Sequence, residues 1–190
     1  MRWLRVLVLV GLLSPACDRS SSATIGLPTA APQAAATTAT PEPLPTTAGG
    51  PKGVRATVVR VVDGDTVVLT GIAVGELDRR TRGRKARLIG VDTPEVYGGA
   101  ECLGREASAF TRRELEDKEV IVAFDIDPVD RFGRALVYVW SIDGVFFNER
   151  IVEQGFAAPM TVPPNVKYAD LFVAASRAAR AHGRGLWSSC

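Results

Sequence analysis

Val54-Arg55-Ala56-Thr57-Val58-Val59-Arg60-Val61-Val62-Asp63-Gly64-Asp65-Thr66-Val67-Val68-Leu69-Thr70 is the stretch that decides the fold. Val54 to Val62 is valine-rich and partly alternating, as in a half-buried strand. Asp63-Gly64 is a tight-turn pair, and Asp65 to Thr70 returns as a second strand. Gly71 to Gly83 reads as an excursion, and Arg84 to Val91 as a third strand that ends before Pro94.

Downstream, Arg105 to Asp117 predicts a helix with Leu103, Ala107 and Phe110 on its apolar stripe. Val120 to Phe124 and Arg134 to Trp140 read as strands, with Asp143-Gly144 as a further turn. Asn148 to Gln154 reads as a short helix, capped by Asn148 and closed by Gly155. Tyr168, Leu171, Phe172, Ala175 and Ala179 have helical spacing. Gly183 and Gly185 end that helix, and Trp187 packs back as an anchor. Five short strands interleaved with three helices predict an α+β domain: a small β-barrel with helices packed on it.

Upstream the composition changes. Met1–Ala16 has a basic start at Arg2 and Arg5 and an apolar run from Val6 to Leu13 too short to span a membrane, the form of an export signal. Leu13-Ser14-Pro15-Ala16-Cys17 resembles a bacterial lipobox, in which Cys17 is lipidated after cleavage. Ser14 and Ala16 also suit ordinary cleavage, which would release a soluble protein. The Thr-, Ala- and Pro-rich segment at 17–50 cannot bury enough surface to offset chain entropy and reads as a disordered tether. As a flexible coil it would reach roughly 30 Å. The folded part is then 51–190, a usual size for one domain. This reading expects the cell envelope outside the cytoplasm, by membrane anchoring through Cys17 or by secretion.

Net charge is +2 for the chain. Arg2, Arg5 and Arg19 against Asp18 and Glu42 place +1 before residue 51, so +1 remains for the domain and bulk charge selects no partner. The distribution says more. Arg79, Arg80, Arg82, Arg84, Lys85 and Arg87 are a dense basic run, suited to a polyanion or equally to a solvated loop. Cys102 and Cys190 are either a disulfide, as oxidising surroundings favour, or two free thiols; their spacing is not that of a zinc site.

Three segments carry chemistry: Asp63-Gly64-Asp65-Thr66, Arg87 through Glu95, and Asp130-Arg131-Phe132-Gly133-Arg134. Asp65 follows a turn and Asp92 ends a strand, so both carboxylates stand on fixed backbone. With a backbone oxygen and waters they suit a hard cation such as Ca²⁺. Arg87 and Arg134 can each grip phosphate oxygens with two donors. Glu95, after Thr93-Pro94, is the candidate to orient or deprotonate water. The single histidine, His182, sits near a helix end and has no catalytic role. The set suits phosphodiester hydrolysis better than a structural purpose.

From about Lys52 to Ser188 the chain resembles the thermonuclease (staphylococcal nuclease) family. The resemblance includes Gly104-Arg105-Glu106-Ala107-Ser108-Ala109-Phe110, Asn148-Glu149 and Gln154-Gly155. It implies a five-stranded OB-type barrel with three helices, and Ca²⁺-dependent cleavage of DNA and RNA by water attack that leaves 3′-phosphates. By position, Asp65 and Asp92 would be the calcium carboxylates, Thr93 would add its carbonyl, Glu95 would be the general base, and Arg87 and Arg134 would bind phosphate. A monomer is expected. The departures are a longer stretch between Thr66 and Arg87, a shorter loop after Glu95, and Arg131-Phe132 in place of a lysine and a tyrosine. Pro159-Met160-Thr161-Val162-Pro163-Pro164 stands where the family has nucleotide-packing tyrosines. The alternative is a non-catalytic OB-type module that holds nucleic acid or protein without cutting.

Overall fold

The computed structural model describes residues 52–99 and 101–190. The export signal, Cys17 and the tether lie outside the described residues. The element order is β1 (Val54–Val61), β2 (Thr66–Thr70), β3 (Arg84–Leu88), β4 (Val91–Asp92), α1 (Gly104–Leu115), β5 (Glu119–Ala123), β6 (Ala135–Ser141), α2 (Phe147–Glu153), β7 (Ala158–Pro159), α3 (Ala169–Ala181) and α4 (Leu186–Ser189). Five strands close a barrel in the order β1-β2-β3-β6-β5, as the OB-type reading requires. All pairings are antiparallel except β3–β6, which the crossover through α1 and β5 makes parallel.

The imperfect alternation of β1 has a local cause. Ala56, Val58 and Val61 face the core, and the β1–β2 register shifts between Val58 and Arg60. One extra residue there resets the side-chain phase and leaves Arg60 outside the barrel. β2 is buried on both faces: Val67 and Leu69 join the core, while the backbone of Gly83 closes against Val68. α1 places Phe110 and Leu115 on the barrel, with the Phe110 ring tilted against Phe156 at a centroid distance of 4.9 Å. A second cluster outside the barrel joins Ile89, Tyr138, Trp140 and Phe172.

Two sequence expectations are corrected. The strand foreseen over Arg84–Val91 stops at Leu88 and restarts as β4, which pairs with β7. Gly90 makes the break, with φ 80°, and the Phe172 ring lies where its side chain would be. Asn148 does not cap α2. The helix begins at Phe147, and Asn148 is fully buried inside it. Its amide oxygen accepts from the Val139 N–H at 2.9 Å, and its Nδ2 donates to the carbonyls of Ile89 and Val137 at 2.9 and 3.3 Å. It latches α2 to β6 and to the turn after β3. Gly155 does close the helix, with φ 76°.

Cys102 and Cys190 form a disulfide that ties the start of α1 to the end of the chain, 88 residues away in sequence. Trp187 returns under the Arg180 guanidinium at 4.1 Å. Cross-linking so long a loop removes unfolded-state entropy, so replacing both cysteines by serine is expected to cost about 2–4 kcal/mol. The shift of the urea midpoint measures it. A midpoint unchanged by reduction or by the double replacement would show the bridge to be thermodynamically silent.

Candidate active site

The β1–β2 turn builds the first part of the site. The Asp63 carboxylate accepts from the Asp65 N–H at 3.2 Å and so shapes the turn. Gly64 is required because the Thr93 side chain occupies the space a Cβ would need, and Thr111 Oγ1 donates to the Gly64 carbonyl at 2.6 Å. Asp65 is thereby pressed into the protein, 2% exposed. Its Oδ1 accepts from Thr66 Oγ1 at 3.0 Å and from Arg87 at 2.8 Å; its Oδ2 accepts from the Thr93 N–H at 3.0 Å and Thr93 Oγ1 at 3.2 Å. Burial raises its pKa to about 6, against the pull of Arg87.

Arg87 joins the two acids that the sequence separates. β3 pairs it with Thr66 on one side and Leu136 on the other. Its two terminal nitrogens then reach Asp65 and Asp92, at 2.8 and 2.7 Å. Asp92 is half exposed at the end of β4, so this second bond lies at the protein surface. Among the described residues no three acidic, histidine or cysteine side chains form a metal cage. Two carboxylates converging on one cationic group are a sparse all-oxygen set, which fits a hard cation that keeps waters.

Glu95 stands apart from this network. Its N–H donates to Glu101 Oε2 at 3.0 Å, and its carbonyl accepts from the Glu101 N–H at 2.9 Å. Gly104 lets α1 start against that carbonyl, since a Cβ there would lie 2.6 Å from it. These contacts fix the backbone and leave the carboxylate in solvent, without a hydrogen bond among the described residues.

Asp130 organises the third segment, a role that sequence reading did not assign. Its carboxylate accepts from the N–H groups of Phe132 and Arg134, both at 2.9 Å, and from Arg134 Nε at 2.7 Å. The Asx-turn signature was the available signal. Burial alone would raise the Asp130 pKa, but these donors outweigh it and hold it below the ordinary carboxylate range. Arg134 is thus braced through Nε, with its terminal nitrogens free of ion pairs among the described residues. Exposed Phe132 lies beneath Arg131 and Arg134, at 4.7 and 5.4 Å.

Arg87 and Arg134 line one cleft of about 460 Å³, with Phe132, Met160 and Val162 on its walls. Asn165 holds one wall by bonding the N–H and the carbonyl of Asp127, both at 2.8 Å. The structure therefore gathers Asp65, Arg87, Asp92 and Thr93 in one network and sets Arg134 across the same cleft. It carries Glu95 on the turn beyond Asp92, outside that network.

A closed OB-type barrel bearing acids and arginines at one cleft defines a protein built for phosphodiester chemistry. The family described as staphylococcal nuclease homologue matches residues 85–189. The chain is 35% identical over 135 residues to the thermonuclease of Staphylococcus hyicus, covering 70% of this chain and 75% of that protein. It is 35% identical over 133 residues to the thermonuclease of Staphylococcus intermedius, covering 68% and 74%. It is 31% identical over 137 residues to the SPbeta prophage-derived endonuclease YokF of Bacillus subtilis, covering 70% of this chain and 43% of that protein. The chain belongs to the staphylococcal nuclease homologue family.

Proposed function

We propose that this protein is a calcium-dependent nuclease that hydrolyses DNA and RNA with little sugar specificity and leaves 3′-phosphates. The observation that carries the reading is the convergence of Arg87 and Arg134 on one cleft, with Arg87 braced by Asp65 and Asp92. The relatives named thermonuclease and endonuclease support it. The leader supports action outside the cytoplasm, tethered through lipid on Cys17 or freely secreted. The chain acts as a monomer in this reading.

Asp65, Asp92 and the Thr93 carbonyl would hold the cation. When bound, Ca²⁺ supplies positive charge against the phosphate and polarises water. The chain's own groups do the rest. Arg87 and Arg134 grip the phosphate oxygens and stabilise charge as the pentacoordinate phosphorus forms. Glu95 orients a water and takes its proton as the new P–O bond forms. The P–O5′ bond breaks, the departing O5′ takes a proton from solvent water to become a 5′-hydroxyl, and the phosphate stays on the 3′ oxygen. Phe132 and Met160 offer apolar surface to a base at the rim.

The test is cleavage of linear DNA and RNA by the full chain with Ca²⁺ and with a chelator, and it carries a pH signature. Asp65 holds its proton up to about pH 6, whereas in an unfolded chain it would lose it near 3.8. Its contribution to stability is therefore complete below about pH 4 and lost as pH rises through 6. Proton and cation compete for this carboxylate, so calcium affinity should weaken by up to about tenfold per pH unit below 6. Calcium titrations at pH 5 and 7 check this; equal affinities would remove Asp65 from the calcium site. Nucleic acid held without turnover at any calcium level would point to the non-catalytic module.

A further inference from the structure

The long stretch between β2 and β3 is an ordered arm, and its charge is unevenly spent. Glu76 donates its N–H to the Gly133 carbonyl at 2.5 Å and accepts from the Lys85 N–H at 2.8 Å. Asp78 is buried and ion-paired with Arg60 on β1. The tip closes on itself: the Asp78 N–H donates to the Gly83 carbonyl at 2.7 Å, and the Arg80 N–H to Asp78 Oδ1 at 2.8 Å.

The basic run is thereby divided in two. Arg84 bonds the Gly75 carbonyl, Lys85 pairs with Glu76, and Arg87 serves Asp65 and Asp92. Arg79, Arg80 and Arg82 are exposed and make no ion pair among the described residues. The arm's two acids are already committed to Arg60 and Lys85. Since residues 51–190 carry only +1, three positive charges on one tip leave the remainder at −2. A solubility role would not need this asymmetry. A tip that focuses positive potential suits a polyanion.

From this placement we infer that Arg79, Arg80 and Arg82 form a phosphate-backbone contact that continues the nucleic-acid path beyond the catalytic cleft. The inference rests on the nuclease reading and adds to it a substrate-holding surface. Glu76 touches the residue next to Arg134, and Arg79 lies three residues further on, within about 11 Å of Glu76 along the backbone. That distance is about three stacked nucleotides at ~3.4 Å per strand step. The contact reads charge and strand path, not base identity. It favours polynucleotides over fragments too short to reach the tip.

The test compares the full chain with its R79Q/R80Q/R82Q variant, which keeps the side-chain stems and removes the charge. Binding of labelled single-stranded and duplex oligonucleotides is measured in chelator between 50 and 200 mM salt. Loss of three phosphate contacts should flatten the log K against log salt slope by about 2 for single strands and nearly 3 for duplex. Affinity at 0.1 M salt should fall on the order of 10²-fold. With calcium, KM for polynucleotide should rise at unchanged kcat, and dinucleotide cleavage should not change. An unchanged slope overturns the inference, as does failure of the unaltered chain to bind at 50 mM salt. Loss of binding to anionic lipid vesicles with oligonucleotide binding intact would overturn it in favour of a membrane contact. Because the slope is read without turnover, a chain that binds but never cuts would sink the nuclease reading and leave the tip contact measurable.

Discussion

Replacing Arg87 by alanine is expected to lower the cleavage rate by about 10²–10³-fold or more while the barrel stays folded. Two losses act together. The phosphate loses a planar two-donor partner inside a half-buried cleft, where charge is poorly screened. Asp65 loses the guanidinium that opposes the effect of its burial, so its pKa rises further above 6 and it is neutral over more of the working range. A neutral carboxyl is a poor cation ligand, and calcium affinity should fall along with the rate. Folding should survive, because a buried acid can take up a proton and need not stay charged and unpaired. Lysine at this position should recover little, since a point charge cannot span Asp65 and Asp92 as the fork does. Initial rates, calcium titration and thermal melts on Arg87→Ala and Arg87→Lys check this. An alanine variant cutting within threefold of the unaltered chain would remove Arg87 from the chemistry.

Asn148→Ala should be the most damaging single change to stability, costing about 2–4 kcal/mol. The side chain is fully buried and serves three backbone groups: the Val139 N–H and the carbonyls of Val137 and Ile89. Removing it strands the Val139 N–H and the Ile89 carbonyl out of reach of water, at ~1–3 kcal/mol for a stranded group with partial relief by relaxation, while the Val137 carbonyl keeps the Ile89 N–H at 2.9 Å. The effect should extend to the site. Ile89 and Gly90 form the turn that carries the chain from Arg87 to Asp92, and the latch holds that turn against α2. Urea unfolding should show a lower midpoint at unchanged slope, and the variant should bind calcium more weakly at temperatures where it is still folded. A loss below 1 kcal/mol would mean that the backbone groups find other partners.

Much of the barrel was legible because its strands advertise themselves locally. Valine-rich alternation, Asp-Gly turns and the Pro94 stop each act over a few residues, so β1, β2, β5 and β6 fall within a residue or two of expectation. The exceptions are instructive. Gly90 splits a strand because the Phe172 ring, 82 positions later, fills the space beside it. Asn148 carries a helix-cap residue type yet sits inside α2, because burial against β6 offers it more hydrogen bonds than a helix end does.

The site divides in the same way. Of the residues singled out in the sequence, the structure joins Asp65, Arg87, Asp92 and Thr93 in one network, sets Arg134 on the same cleft and leaves Glu95 apart, and the turns that fix them are written in Asp63-Gly64 and Asp130-Gly133. Sequence by itself determined the strand periods, the turn chemistry and the residue types able to meet a phosphate, since each depends on steric and hydrogen-bonding preferences within a few residues. Tertiary structure alone decided that Arg87 spans both acids, that Asp65 is buried enough to hold its proton to about pH 6, and that Asp78 and Glu76 pin the basic arm and leave three arginines without an ion pair among the described residues. Those outcomes depend on which of many chemically equivalent partners the closing barrel brings within 3 Å and on how much water it excludes, quantities that local sequence does not contain.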